Sequence, residues 1–250
     1  MCGRYTLFVE QDDLEERFDA RFTGPFSPRY NAAPGQKLPV ITNDEPETIR
    51  RLEWGLVPSW ADDATNGLVN ARAESVAEKP SFRAAYERRR CLVLADGFYE
   101  WAETETGERI EDSRSSSDRR SDGGKQPYRI AFEDDRPFAM AGLWERWEPE
   151  TTQTGLDVFG GGVEEEGDDG GPLETFTVIT TEPNDLVAEL HHRMAVILEP
   201  DREREWLTAD DPRGCLEPYP AAELRAYPVS TAVNDPATDE PSLVEPLEPA

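Results

Sequence analysis

Short apolar runs broken by turns dominate the chain, and their spacing predicts many strands and few helices. Arg4–Leu7 predicts a short strand. Leu14 and Phe18, four residues apart within Asp12–Ala20, predict a helix with one apolar stripe. The proline-bounded stretch 28–34 predicts a loop, and Leu38–Thr42 a strand after it. Leu52–Val57 predicts another strand, stopped at Pro58. Residues 68–74 read as extended chain, which would set Asn70, Arg72 and Glu74 on one face. Ser81–Arg89 predicts a helix with Phe82, Ala85 and Tyr86 on its buried side. Cys91–Leu94 is wholly apolar, as in a strand buried on both faces, and an Asp96-Gly97 turn leads to Phe98–Trp101. Strands are predicted over Tyr128–Phe132, Phe138–Trp144, Thr175–Thr181, Met194–Leu198 and Leu224–Val229, and helices over Pro183–Leu190 and Asp201–Leu207. No internal repeat is visible. Many short strands mixed with a few helices indicate an α+β fold rather than a βαβ array. A length of 250 residues fits one domain with insertions.

Two stretches break this pattern. Ala102–Gly124 is Ser-rich and mixed in charge, and Glu148–Glu174 holds nine acids, no base and runs of glycine. Both are expected to be solvated insertions. Asn234–Ala250 carries five acids and four prolines and is expected to be an acidic tail, leaving 2–233 as the folded domain. These three stretches contribute −3, −9 and −5 to a net charge of −27, so the folded remainder is much less acidic than the whole. Only three of the 26 basic residues are lysine. An acidic, lysine-poor chain suggests a halophilic protein, kept soluble in concentrated salt. Acidity usually argues against a nucleic-acid partner. That argument weakens at high salt, where phosphate attraction is screened. The three cysteines form no CxxC pair, which favours a reducing, intracellular (cytoplasmic) location over a disulfide framework. No apolar run suits a membrane span, and residues 1–16 lack the apolar core of a secretory signal.

The candidate chemistry begins at Cys2. A small residue after Met1 predicts removal of Met1, which would put a thiol and an α-amine on one residue. Their ordinary pKa values, about 8.5 and about 7.7–8.0, leave useful fractions of both deprotonated near neutrality. Such a 1,2-aminothiol condenses with an aldehyde to a five-membered thiazolidine. The alternative is that Cys2 only starts a strand and packs its sulfur. Asn70 and Arg72 stand on the extended stretch, which could equally be a half-exposed strand. Glu100, between Tyr99 and Trp101, either faces solvent or has a raised pKa suited to acid–base work. His191 and His192 fall where a helix meets a strand, and a helix C-terminus would favour the protonated form of either. Strand neighbours face opposite ways, so only one of the two could serve a given site. With no third ligand nearby, a zinc site is rejected. Arg4, Trp54, Trp60, Arg72 and Arg193 could offer stacking faces and phosphate contacts to a single strand, with core packing an equal reading for the tryptophans. There is no glycine-rich phosphate loop and no GxSxG elbow, and no cofactor is expected.

Eight stretches in order resemble one family. They are Met1-Cys2-Gly3-Arg4-Tyr5, Tyr30-Asn31-Ala32-Ala33-Pro34, Trp54-Gly55-Leu56-Val57-Pro58-Ser59-Trp60, Asn70-Ala71-Arg72-Ala73-Glu74, Pro80-Ser81-Phe82-Arg83, the run Arg90–Trp101, Ala141-Gly142-Leu143-Trp144 and His191-His192-Arg193-Met194. Together the chain resembles the SRAP family (SOS-response-associated peptidase). The resemblance implies one α+β domain with a β-barrel-like core, flanking helices and acidic loop insertions. It implies an abasic-site processing protein that captures abasic sites in single-stranded DNA through a thiazolidine link to Cys2. In that reading Cys2 is the nucleophile, Asn70 positions the reacting groups, Glu100 is the acid/base carboxylate and His191 shuttles protons. Arg4 and Arg72 match basic residues on the DNA backbone, the Trp60 stretch resembles a region lining the DNA path, and Arg193 joins them as a DNA-binding candidate. A monomer is expected, with DNA as its partner and no membrane. The chain departs from the family pattern at Leu94 and Ala195, where proline is usual, and neither departure removes a reacting group.

Two other functional classes stay open on the residues alone. The family's name suggests a peptidase with Cys2 as nucleophile and His191 as base. A non-enzymatic reader of damaged or modified DNA would use the same groove without needing Cys2.

Overall fold

The computed structural model describes residues 2–103, 125–149 and 171–247. The chain opens with β1 (Tyr5–Leu7), α1 (Gln11–Phe18), β2 (Arg21–Phe22), β3 (Arg29–Ala32) and β4 (Lys37–Thr42). It continues through β5 (Glu45–Trp54), β6 (Asn70–Arg72), α2 (Pro80–Arg88), β7 (Arg90–Ala95) and β8 (Gly97–Glu103). β9 (Lys125–Phe132), β10 (Phe138–Trp147), β11 (Leu173–Thr181), α3 (Asp185–Ala188), β12 (Met194–Ala195), α4 (Glu203–Thr208) and β13 (Leu224–Pro228) follow.

Five of these strands close on themselves. β11 pairs with β10, β10 with β7, β7 with β4 and β4 with β5, all antiparallel. β5 then returns to β11 in parallel, with Glu53 beside Thr175 and Trp54 beside Phe176. Closure leaves no free edge in that ring. The near-continuous apolar sequence of β7 follows from its place there, since all six of its residues are buried. Beside the barrel lies an antiparallel sheet of order β13-β9-β8-β1-β3. The two sheets share one large core, which includes Leu7, Leu38, Val93, Phe98, Met140 and Phe176. The fold is the α+β architecture with a barrel core that the sequence led us to expect.

Asp96 joins the barrel strand β7 to β8 of the second sheet, so Asp96-Gly97 is a crossing between sheets and not a hairpin turn. The Asp96 carboxylate is fully buried, accepts from Thr6 Oγ1 at 2.5 Å and pairs with Arg129 at 3.3 Å. Arg129, itself 1 % exposed, also donates to Asp96 O, Asp135 and the Tyr227 hydroxyl. Such a pair repays its desolvation only when its remaining donors and acceptors are satisfied. A Cβ at position 97 would stand 2.7 Å from Arg129 Nε, so glycine is what lets the guanidinium lie against this backbone.

Several expected boundaries move. The first helix ends at Phe18 because Asp19 takes a left-handed conformation (φ 48°), with Ala20 N donating to Glu15 O. The expected loop 28–34 contains β3. β5 starts at Glu45, seven residues before the apolar pattern begins, because its outer half is charged and largely exposed. Glu74 leaves the extended stretch and lies in a turn, so it does not continue the Asn70–Arg72 face. The strand expected over Met194–Leu198 shortens to Met194–Ala195, and α3 covers only Asp185–Ala188 of the expected Pro183–Leu190. Ala102 and Glu103 extend β8, and Leu173 and Glu174 belong to β11, so the insertions are narrower than expected. Most of both, 104–124 and 150–170, lies outside the described residues.

The largest correction concerns the C-terminus. Residues 233–247 form a docked strap, so the chain from Asn234 on is not the solvated tail expected. Val233 and Leu243 are fully buried against Tyr99 and Val229, and Leu247 N donates to Pro228 O at 2.9 Å. Acidity and proline content disguised a segment that docks through two buried apolar side chains, Val233 and Leu243, and its backbone bonds.

Candidate active site

β6 lies parallel to β11, with Asn70 beside Val178 and Arg72 beside Thr180. That register carries Asn70 to the start of the chain, where its Nδ2 donates to Cys2 O at 2.9 Å. Asn70 Oδ1 is buried and has no hydrogen-bond partner among the described residues. This leaves beside Cys2 a buried amide oxygen whose accepting capacity no described group uses.

Cys2 is fully buried, and its Sγ sits 3.9 Å from Arg4 O. Burial pushes the thiol pKa far above its ordinary value, and the nearby Glu100 charge adds in the same direction. The expectation of a useful thiolate fraction near neutrality is therefore corrected: in this environment the thiol is held neutral.

Glu100 stands opposite Tyr128 in the β8–β9 ladder and is 2 % exposed. Alternation along β8 gives each face its task. Phe98 joins the main core, while Tyr99 and Trp101 face the C-terminal strap. Glu100 is left on the side opposite the strap. Desolvation raises its pKa to about 7, with the positive charge of the amino terminus pulling the other way. Glu100 Oε2 lies 3.8 Å from His191 Nδ1.

His191 closes α3, its N–H donating to Val187 O at 2.8 Å. Burial nevertheless lowers its pKa, so the expected helix-terminus stabilisation of a protonated ring does not prevail. His191 Nδ1 lies 3.1 Å from Arg193 N and 3.0 Å from Arg193 O, so residue 193 offers this nitrogen both a donor and an acceptor, one for each tautomer of the ring. The two histidine rings lie 4.3 Å apart at 35°, on one side of the backbone. The opposite-faces argument fails because the strand begins only at Met194. His192 is exposed.

The four residues expected to hold DNA divide in two. Arg72 is exposed, and Trp60 is 66 % exposed beside a cavity of about 270 Å³ lined also by Val57, Pro58 and Leu68. The loop that carries Trp60 is pinched at its base. A Cβ on Gly67 would lie 2.6 Å from Gly55 O, so the two backbones meet because Gly67 has no side chain, and Gly55 adopts a φ of 138° that suits glycine. Arg4 and Arg193 are engaged inside the chain instead. Arg4 NH1 donates to Val233 O at 2.7 Å and to Asn31 Oδ1 at 3.2 Å. Arg193, with its side chain 11 % exposed, forks onto Glu74 and donates to Thr180 O at 2.5 Å. A guanidinium already in a bidentate carboxylate pair must give that up to grip a phosphate.

Sequence reasoning passed over Asn31, Asp96 and Arg129. Asp96 had one visible signal, a charge between two apolar runs. Asn31 had only its place in the Tyr30–Pro34 stretch. Among the described residues no group of three or more His, Cys, Asp or Glu side chains could hold a metal. No helix among them is long and apolar enough to cross a membrane.

The chain is 39 % identical over 257 residues to the abasic site processing protein YoqW of Bacillus subtilis (strain 168), covering 98 % of this chain and 99 % of that one. It is 31 % identical to the abasic site processing protein HMCES of Gallus gallus over 90 % of this chain and 68 % of that one. A crystal structure of a protein from Bacteroides thetaiotaomicron shares the fold, with a TM-score of 0.75 at 23 % identity, over 99 % of this chain and all of that one. Residues 1–236 match the SOS response associated peptidase (SRAP) family, and the chain belongs to that family.

Proposed function

We propose that this chain processes abasic sites in single-stranded DNA by forming a covalent thiazolidine through Cys2, which shields the site from strand cleavage. The observation that carries the reading is the convergence at Cys2. Asn70 holds its carbonyl, while Glu100 is buried with a pKa of about 7 and lies beside His191. Relatives called abasic site processing proteins support it.

The chemistry needs the amine of Cys2, and so needs Met1 removed. An abasic sugar opens from hemiacetal to aldehyde when a proton reaches the ring oxygen and the C1 hydroxyl gives one up. A carboxyl titrating near neutrality can do both. The Cys2 amine adds to the aldehyde carbon, and loss of water leaves a C=N bond. The thiol then adds across that bond, forming C–S while its proton passes to nitrogen by way of His191. One water is released in all, and nothing is oxidised or reduced. The buried thiol adds late, as a neutral group with its proton acceptor at hand. This is nucleophilic catalysis whose product stays attached.

The test is incubation with an oligonucleotide carrying one abasic site, followed by denaturing electrophoresis and intact mass. The expected product has the mass of the chain lacking Met1 plus the oligonucleotide minus one water, and Cys2→Ala abolishes it. A crosslink that retains Met1 or survives Cys2→Ala would overturn the reading. Cleavage of added proteins that depends on Cys2, without any crosslink, would favour a peptidase.

A further inference from the structure

The Tyr30–Pro34 stretch and the C-terminal strap have no role in the chemistry above, yet the structure ties both to it. Asn31 is fully buried in β3, the strand next to β1. Both ends of its amide are engaged. The two Nδ2 hydrogens are shared among Val233 O at 3.2 Å, Asp235 O at 3.0 Å and Thr238 O at 2.8 Å. Oδ1 accepts from Arg4 NH1 at 3.2 Å, and that same nitrogen reaches Val233 O. Asp239 completes the join, accepting from Tyr30 N at 2.6 Å, Asn31 N at 3.0 Å and Arg29 NH1 at 2.9 Å. The strap also supports β8 from behind. Asn234 Oδ1 accepts from Trp101 Nε1 at 2.7 Å, and Val233 and Leu243 pack on Tyr99, on either side of Glu100 along the strand.

We infer that the strap is a latch on the active site, and that Asn31 and Asp239 are positioning residues that hold the Cys2-bearing start of the chain through Arg4. Arg4 is two residues from Cys2, and its guanidinium bridges strap and Asn31, so its place follows theirs. With the strap released, Arg4 loses its carbonyl acceptor, and the backbone of residues 2–4 is left with the Asn70 bond to Cys2 O and the bond from Tyr99 N to Arg4 O, neither of which holds the Arg4 side chain. The inference concerns the placement of Cys2 and rests on the proposed function only for its effect on rate.

Two buried thiols make the test specific. Cys2 and Cys91 are both fully buried, but Cys91 lies in β7 of the barrel, away from the strap. The full chain is treated with iodoacetamide under native conditions, and alkylation of each cysteine is followed by mass spectrometry. The variants are Asp239→Ala, which leaves the buried core intact, and Asn31→Asp, which keeps an acceptor for Arg4 but loses the donors to the strap. Losing one or more buried hydrogen bonds should open the latch about tenfold more often. The expected result is that Cys2 alkylation rises by about that factor in both variants, while Cys91 stays at its wild-type rate. Equal rises at Cys2 and Cys91 would mean general destabilisation and overturn the inference, as would no rise at Cys2. Crosslink rate is read separately on abasic oligonucleotide, where a misplaced nucleophile should cost up to about 10²-fold. If the wild-type chain forms no crosslink, the proposed function fails and the alkylation result still decides the latch. If the wild type crosslinks and the variants, with Cys2 exposed, do so equally fast, the latch does not position Cys2 for reaction.

Discussion

Glu100 Oε2 stands 3.8 Å from His191 Nδ1, and burial displaces the two groups in opposite directions, raising the carboxyl to about 7 and lowering the imidazole. Both neutral forms are favoured, so below about pH 7 the proton stays on Glu100 rather than passing to the imidazole as an ion pair. A buried acid beside a partly open base is a pair that can pass protons in either direction near neutral pH.

Glu100→Gln keeps the shape of this carboxyl and removes its proton transfer. The expected outcome is a crosslinking rate reduced by about 10²–10⁴, with reversible binding to undamaged single strands unchanged. Single-turnover crosslinking and fluorescence anisotropy read the two separately. A parallel loss in both would make Glu100 structural.

The raised Glu100 carboxyl also makes stability depend on pH. Below its ordinary value of 4.5, folded and unfolded chains both hold the proton. Between there and about 7 only the folded chain holds it, so this group's contribution to stability is lost as pH rises through that window. Urea unfolding across pH 4–8 should show the fall in the wild type and a shallower one in Glu100→Gln. The crosslinking rate should carry an inflection near pH 7 that the same substitution removes.

Arg72 is the exposed arginine beside the site, whereas Arg193 is spent on Glu74. Arg72→Ala is expected to weaken reversible binding to single-stranded DNA and to reduce the slope of log affinity against log salt by about 0.7, with the melting temperature unchanged. An unchanged slope would show that Arg72 meets no phosphate.

Gly97→Ala would drive a methyl group into the Arg129 guanidinium. Overpacking of this kind costs about 1–3 kcal/mol, and more if the Asp96 pair breaks. Chemical denaturation of the variant checks it, and wild-type stability would mean that Arg129 has room to move.

Crosslinking should outlast reversible binding as salt rises. Each phosphate contact is lost with a slope of about −0.7 per contact, but a covalent bond is insensitive to screening. Crosslink yield and reversible affinity measured from about 0.1 to 3 M potassium chloride should separate, with circular dichroism confirming the fold at each point. A yield that fell in step with affinity would count against covalent trapping.

The sequence by itself determined the element types and the short motifs. Strands with a continuous or alternating apolar pattern, such as β7 and β10, were visible because burial writes itself into residue type. So were the residues that chemistry would need, since a thiol at position 2 or a carboxylate among aromatics stands out by type alone. Tertiary structure decided what no local pattern carries. The parallel contact of β5 with β11 closes the barrel across more than 120 residues, and the register of β6 on β11 delivers Asn70 to Cys2. Burial, a property of the packed molecule, determined that the Cys2 thiol is neutral and that Glu100 titrates near 7. Arg4 and Arg193 look like solvent-seeking cations in sequence, yet partners 229 and 119 residues away bring them inside. The strap shows the same limit most plainly. Its acids and prolines suggest a solvated tail, but Asp239 and Leu243 find a strand ladder and an apolar pocket that exist only once the sheet has formed.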